Sequence, residues 1–254
     1  MTGFGYQLYS SRNFPPLQET LTMLSGLGYE TVEGYGALFG SGVGQLDLSE
    51  ALNATGLRMP TAHFAFDAVR ETPDEVIGAA RMLGVETVVV PAIPPALRPE
   101  DAPGWVAFGS ELAEAGKPFQ DAGLEFAWHN HAFELVDLGG ADKPLDLILQ
   151  GSDVLKFEID IAWIVVGGED PLDWLRRYPD RIVAAHIKDL AREGENLNED
   201  GWADVGQGVL DWAEIMPALA QTPVRHLIME HDNPSDDRRF AERSLAAARQ
   251  IAGA

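Results

Sequence analysis

Six histidines, forty acidic residues and no cysteine bound the chemistry open to this 254-residue chain. Without cysteine there are no disulfides, thiolate nucleophiles or Cys-ligated zinc and iron–sulfur sites, so a metal would be held by His, Asp or Glu. The candidate ligands fall in four short segments: WHNH (128–131), FEID (157–160), AHIK (185–188) and MEHD (229–232). Each continues an apolar or aromatic run of the kind that forms a strand, and strand side chains alternate between two faces. Phe126 and Trp128 on one face leave His129 and His131 on the other; Phe157 and Ile159 leave Lys156, Glu158 and Asp160. Val183, Ala185 and Ile187 leave Ala184, His186 and Lys188, while Leu227 and Met229 leave Ile228 and Glu230. His129, Asp160, His186 and Glu230 together offer imidazoles and carboxylates suited to Mn²⁺, Mg²⁺, Co²⁺ or Zn²⁺. Without a cation, Glu158, Asp160 and Glu230 would crowd a low-dielectric site and one of them would be driven to protonate. The alternative is a set of structural ion pairs with Lys156 and Lys188.

The elements that position these residues are legible as a repeating pattern. Strand-like runs occur at 4–9, 29–34, 57–64, 85–92, 124–131, 154–160, 181–188 and 224–231, and each is followed by an amphipathic segment, at 15–27, 44–55, 72–83, 102–122, 142–150, 170–178, 210–220 and 236–252. Pro15–Pro16, Thr72–Pro73, Asp170–Pro171 and Ser235–Asp236–Asp237 are helix-entry signals, and Gly28, Gly56, Gly84 and Gly123 stand where helix C-terminal caps favour glycine. Eight βα units in a chain of this length predict an α/β fold, a single-domain (β/α)8 TIM barrel over residues 1–254 with its active site at the C-terminal ends of the strands. An open doubly wound sheet would carry a glycine-rich turn after its first strand, and SSRNFPP (10–16) carries none. His63, His129, His131, His186 and His231 all fall at or near a strand C-terminus, and His226 alone at a strand start.

Composition narrows the partners. Eighteen basic against forty acidic residues give a formal charge of −22. With no basic stripe, nucleic acid is excluded as a partner, and anionic membrane surfaces are disfavoured likewise. There is no apolar run of about 18 residues, the length a spanning helix needs, and MTGFGYQLYSSR lacks the basic and apolar regions of a leader, so a cytoplasmic protein is expected. The proline-rich segment 91–105 forms a stiff loop placed to cover the barrel mouth or meet a neighbouring chain.

On GYQLYSSR at the start, WHNHAFEL (128–135), FEIDIAWIVVGGEDPLDWLRRYPDRI (157–182), AHIKDL (185–190), VGQGVLDW (205–212) and MEHD (229–232), the chain resembles the sugar isomerase/epimerase superfamily with a xylose-isomerase-like barrel. The resemblance spans essentially the whole chain. It implies a divalent metal, commonly Mn²⁺, with one ligand from each of strands five to eight, by position His129, Asp160, His186 and Glu230, and no organic cofactor. Many relatives have glutamate where His129 stands, and in the epimerases that glutamate and the one matching Glu230 are the two bases. Trp163 stands where many epimerases have a substrate-binding histidine. The HNH subgroup resembles enzymes that cleave 3-keto-glycosides by β-elimination. Relatives often form homodimers or homotetramers.

Epimerisation, isomerisation and β-elimination from a ketosugar share one step, loss of a proton α to a carbonyl, and a divalent ion stabilises the enediolate that results. Glu230, Glu158 and His131, in that order, are the candidate bases, and Lys188 would neutralise developing charge. Glu33 and His63, at the ends of the second and third strands, would hold hydroxyls on the far side of the sugar; Thr61 shares the parity of His63. Trp163, and Phe66 beside the mouth, are candidates to stack on a sugar face, and His231 and Asp232 to support Glu230. Gly206-Gln-Gly208 precedes a helix as a phosphate cradle would, but Asp211 already occupies the positive end of that helix. The expected partner is therefore a small unphosphorylated sugar or keto-glycoside. The expected function is a metal-dependent sugar isomerase or epimerase, with a lyase acting on 3-keto-glycosides and a catalytically silent sugar-binding barrel as the alternatives.

Overall fold

The described residues form ten strands, eight of them from the β-branched and aromatic runs: β1 (Phe4–Gln7), β2 (Thr31–Gly34), β3 (Arg58–His63), β4 (Thr87–Val90), β5 (Glu125–His129), β6 (Lys156–Asp160), β7 (Ile182–Ile187), β8 (Asp189–Leu190), β9 (Trp202–Ala203) and β10 (His226–Met229). In this computed structural model, which describes residues 3–40, 42–140 and 142–253, eight of them close into a parallel barrel in the order β1-β10-β7-β6-β5-β4-β3-β2. Residues 1, 2, 41, 141 and 254 of the expected span lie outside the described residues. The eight barrel strands are those read from the sequence, trimmed by up to two residues at either end, and helices lie between them as expected of a (β/α)8 barrel. The β8–β9 pair is an antiparallel two-stranded sheet outside the barrel.

Local chemistry explains the helix boundaries. Gly28 and Gly84 close the Leu17–Leu27 and Pro73–Leu83 helices at φ of +92° and +75°, a conformation that carries a steric cost for any residue with a Cβ. Asp170 and Asp236 accept backbone N–H bonds of 2.9 Å from Leu172 and Arg239 at the starts of their helices. Two helices lie outside the expected pattern, Phe66–Glu71 and Ile161–Val166. The second begins at the end of β6, where Asp160 Oδ1 accepts from Trp163 N at 2.8 Å. A carboxylate fixed by its own helix cap keeps its other oxygen aimed at the barrel axis.

Register sets the layers inside the barrel. Asp160 lies opposite His186, His186 opposite Ile228, and His129 opposite Glu158. Phe126, Trp128, Phe157 and Ile159 pack outward into the helix layer, as alternation predicts. Val183 departs from it. Phe157 pairs with Ile182 but Glu158 with Ala184, so Val183 is an extra residue, and it packs with Val89 and Ala127 inside the barrel instead of facing the helices. The bulge restores inward parity at Ala184 and His186, which delivers His186 to the level of Asp160. The 91–105 loop borders the mouth: Pro91 and Ala92 line its cavity, and the Arg98 guanidinium sits 3.6 Å above the Phe133 ring. Among the described residues, no helix is long and apolar enough to cross a membrane.

Helix glycines give a signed test of this packing. A Cβ at Gly109 would stand 2.5 Å from the Ile148 carbonyl oxygen, whereas one at Gly78 meets nothing within 4 Å. Gly109→Ala should therefore destabilise the chain by about 1–3 kcal/mol through backbone displacement, and Gly78→Ala should stabilise it by about 0.5–1 kcal/mol, both read from chemical denaturation midpoints.

Candidate active site

The strand ends bring two imidazoles and several carboxylates to one place. His186 Nδ1 lies 2.9 Å from Glu230 Oε2 and 3.7 Å from Asp160 Oδ2. One ligating atom from each of His129, Asp160, His186 and Glu230 can be chosen so that all four lie within 4.8 Å of one another, and all four residues are buried. Asp160 Oδ2 and His129 Nδ1 have no hydrogen-bond partner; His129 Nδ1 is 3.0 Å from Glu158 Oε1, but not in bonding orientation. His131 is not part of this set, so of the two strand-five histidines it is His129 that converges with the others. Between them, Asn130 ties β5 to β6: its Oδ1 accepts from Asp160 N at 2.9 Å and its Nδ2 donates to Asp160 O at 3.3 Å.

A second layer lies beneath. Glu158 Oε1 is 2.6 Å from His63 Nε2 and 3.2 Å from His186 Nε2. Glu33 Oε1 is 2.7 Å from His186 Nε2 and 3.2 Å from His63 Nε2, and it accepts from Gln7 Nε2 at 2.8 Å. His63, His129, Glu158 and His186 form another set with ligating atoms within 4.8 Å, sharing two histidines with the first. On the opposite flank, the fully buried Lys188 places Nζ 2.6 Å from Asp232 Oδ2, 3.2 Å from Glu230 Oε2 and 4.0 Å from Asp160 Oδ2. Its ammonium lies against two indoles, 4.1 Å from the Trp202 centroid and 5.0 Å from that of Trp163.

Burial pushes each of these carboxylates toward the neutral form, and its neighbours decide which remain charged. For Glu33 the His63 and His186 rings overcome burial and hold it well below the usual range. For Glu158 burial and the Glu33 charge are likewise overcome by His186 and His63, to about 2. Glu230 is held well down against burial by Lys188 and His186. Asp160 is the exception: burial, aided by the Glu230 charge and only partly offset by Lys188, pushes it up to about 7. His63 is raised to about 10 despite burial by Glu33 and Glu158, and His186 is raised by Glu230, Glu158 and Glu33. Burial together with the His186 charge lowers His129, and burial together with Lys188 brings His131 to about 3. Of these four carboxylates Asp160 is thus the one left short of positive charge, and its Oδ2, like the Oε2 atoms of Glu33 and Glu158, has no hydrogen-bond partner. Two imidazoles, two carboxylates and unpartnered buried donor atoms fit a divalent cation.

Above the cluster opens a cavity of about 560 Å³ lined by His63, His129, His131, Glu230 and Asp232 on its polar side and by Tyr9, Tyr35 and Pro91 on its apolar side. Of the candidate bases, Glu230 and His131 reach it. Glu158 does not, because it sits two residues below Asp160 on β6 and is covered by the histidines. Glu33 is also displaced from its expected place beside the substrate. It pairs in register with Gln7 and Thr61, one layer below His63, and is fully buried. Trp163 stands behind His131, ring centroids 5.3 Å apart, and outside the cavity lining; it packs on Trp202 instead. Phe66 is core, edge-on to Phe108 at 5.4 Å. Lys188 approaches the cavity only through Glu230 and Asp232. His231 faces away, accepting from Asn233 N at 3.1 Å and packing edge-on against Phe240.

Three site residues are ones the sequence reading did not single out. Gln7 and Asn130 sit in quoted motifs, but an amide between strand ends carries no signal until its partners are known. Arg12 lines the cavity and donates to the Asp232 carbonyl oxygen, a contact across 220 positions of sequence. The Gly206–Gly208 turn is already filled: Asp189 accepts from the N–H groups of Gly206 at 2.9 Å, Gly208 at 3.3 Å and Leu210 at 3.2 Å, and from Trp212 Nε1 at 3.0 Å. Asp211 caps the next helix through Ala213 N and Glu214 N. The amides that might have cradled a phosphate are thus committed to two carboxylates.

Comparison with known proteins places this geometry. The family model for xylose isomerase-like TIM barrels matches residues 22–251. An inosose dehydratase from Bacillus thuringiensis (strain Al Hakam) is 26% identical over 130 residues, 46% of this chain and 43% of that protein, so the chain spans less than half the length of such curated relatives. The fold is similar to that of a sugar phosphate isomerase/epimerase from Parabacteroides distasonis ATCC 8503, with a TM-score of 0.80 and 21% identity over 98% of this chain and 94% of that one. It is also similar to D-psicose 3-epimerase from Clostridium cellulolyticum H10, in a structure with D-tagatose, with a TM-score of 0.74 and 15% identity over 99% of each chain. At these identities the structural likeness is one of fold.

Asp189→Ala would leave buried N–H groups of the 206–212 turn unpaired and should cost about 3 kcal/mol in a denaturant titration. The wall carrying Trp202 has its own acid-sensitive tie. Burial pushes the Glu199 carboxyl up, but Arg239 and Ser235 overcome it and lower it from 4.5 to about 2. A depressed carboxyl contributes stability above its unfolded value and loses it as pH falls through the folded one. Glu199→Gln should therefore flatten the loss of thermal stability between pH 4.5 and 2.

Proposed function

The chain belongs to the xylose isomerase-like TIM-barrel family, and from that premise we propose that it is a divalent-metal-dependent enzyme acting on a ketosugar. It removes a proton α to the carbonyl, in the manner of a sugar isomerase or epimerase. The observation that carries the reading is the convergence of His129, Asp160, His186 and Glu230 beneath the cavity, with Asp160 Oδ2 and His129 Nδ1 lacking a hydrogen-bond partner. Those four side chains would hold the ion, and Mn²⁺ suits two imidazoles with two carboxylates, Co²⁺, Zn²⁺ and Mg²⁺ being the alternatives. Bound there, a divalent ion supplies Lewis-acid polarisation of a carbonyl and stabilisation of enediolate charge.

The chain's own residues do the rest. Glu230 is ionised, lines the cavity and is the base that takes the α proton. His131 lines the same cavity from just beyond β5, and burial together with Lys188 keeps its imidazole neutral at physiological pH. Lys188 balances the charge of Glu230 and Asp232 from behind. His63 is the residue of the lower layer that reaches the cavity to bond a substrate hydroxyl. With Asp189 and Asp211 on the 206–212 amides, the substrate is unphosphorylated.

One observation favours a second outcome of the same proton loss. Of the four converging residues only His129 and Glu230 line the cavity, so a single carboxylate of the set faces substrate, whereas two-base epimerisation employs two. After Glu230 removes the α proton, expulsion of a β leaving group completes an elimination, which suits a 3-keto-glycoside. The dehydratase name of the curated relatives is in keeping with it.

Incubating the metal-loaded protein with a ketohexose and a 3-keto-glucoside in D₂O separates the outcomes. Deuterium in an intact rearranged sugar supports isomerase or epimerase chemistry, release of the aglycone supports elimination, and neither would sink the enzymatic reading. Asp160→Asn and His186→Ala should each abolish metal binding and activity with the far-ultraviolet circular dichroism unchanged; full activity in either would refute the assignment.

A further inference from the structure

Glu33 is fully buried and does not line the cavity, and among the described residues its ion-pair partners are His63 and His186, with no arginine or lysine. Its Oε1 accepts from Gln7 Nε2 at 2.8 Å and lies 2.7 Å from His186 Nε2. Gln7 cannot turn its amide around, because its Oε1 is itself occupied by Tyr9 N at 3.0 Å. The β1–β2 register puts Gln7 beside Glu33 with both side chains inward, so the pair is fixed by the barrel and not by a loop. His186 therefore has carboxylates at each nitrogen: Glu33 hydrogen-bonded at 2.7 Å to Nε2, with Glu158 farther off at 3.2 Å, and Glu230 with Asp160 at Nδ1. A ring nitrogen that donates to a carboxylate carries the proton, and the other nitrogen then presents its lone pair.

We propose that Gln7 and Glu33 are a positioning relay that holds His186 with Nε2–H pointing inward and Nδ1 facing Asp160 and Glu230, and so sets the affinity of that set for a divalent ion. The inference rests on the metal reading above. It reassigns Glu33 from substrate contact to control of a ligand it touches. The rival use of the same atom is coordination: in the lower set of His63, His129, Glu158 and His186, Nε2 would ligate a second ion instead of donating a proton.

The test is Mn²⁺ titration of the metal-free full chain, followed by the electron paramagnetic resonance signal of free Mn²⁺, for the wild type and for Glu33→Gln, Gln7→Leu, Asp160→Asn and His63→Ala. Circular dichroism and melting temperature monitor folding. The relay predicts one Mn²⁺ per chain, a Kd about 10–100-fold weaker in Glu33→Gln, a smaller loss in the same direction in Gln7→Leu, and no binding in Asp160→Asn. In the Zn²⁺-loaded protein the His186 Nε2–H proton resonance should lie far downfield and move upfield in Glu33→Gln, a change that a merely structural role would not produce. Wild-type affinity in Glu33→Gln, with binding still abolished in Asp160→Asn, overturns the relay and leaves the metal reading standing. Absence of binding in the wild type, or unchanged binding in Asp160→Asn, overturns both. Two ions per chain, one of them lost in His63→Ala, shows Nε2 coordinating and overturns the relay.

Discussion

A buried carboxylate costs several kcal/mol in lost hydration unless positive charge and hydrogen bonds are brought to it. At the C-terminal end of this barrel Glu33, Glu158, Asp160 and Glu230 are all withdrawn from water, with Asp232 close by. Much of the surrounding structure answers that cost. His63 and His186 stand between carboxylates, Lys188 lies against Trp163 and Trp202, and Gln7 and Asn130 fix the strand ends at which the acids emerge. Even the β8–β9 extension belongs to this scheme, since it carries Trp202 over the lysine and is anchored through Asp189. Asp160 is left undercompensated, its carboxyl pushed up by burial as that of Asp232 is, and a divalent cation held among the converging side chains is how the proposed function completes the site.

The cluster is stratified along the barrel axis. In the lower layer Glu33, Glu158 and the Nε2 atoms of His63 and His186 neutralise one another, and of these residues His63 alone lines the cavity. In the upper layer His129, Asp160, Glu230 and His186 Nδ1 converge, His129 and Glu230 lining the cavity beside His131 and Asp232. Two rings, those of His129 and His186, belong to both sets. A change in the lower layer can therefore be felt at the reacting end without any direct contact with substrate.

Strand alternation made much of this legible in advance. The bulky outward residues of β5, β6 and β10 identified the inward face, and the four converging side chains followed from it. Alternation reports the face, however, and says nothing of height. Glu33 and Glu158 do point inward, but only inter-strand register shows them one layer too low to meet a substrate. Val183 escaped because a bulge breaks the period of two, and the helices Phe66–Glu71 and Ile161–Val166 because six residues are too few for a helical repeat to declare itself. The Asp189-filled turn and the Arg12–Asp232 contact depend on residues 17 to 220 positions apart, which no local pattern encodes.

The most direct measurement of the central claim is the anomalous difference density of crystals of the Mn²⁺-loaded protein, collected on either side of the manganese absorption edge. The account predicts a single peak within coordination distance of His129, Asp160, His186 Nδ1 and Glu230, with Glu33 remaining on His186 Nε2. A peak centred instead among His63, Glu158 and His186 Nε2, or no peak in a protein that still turns over ketosugar, would contradict it.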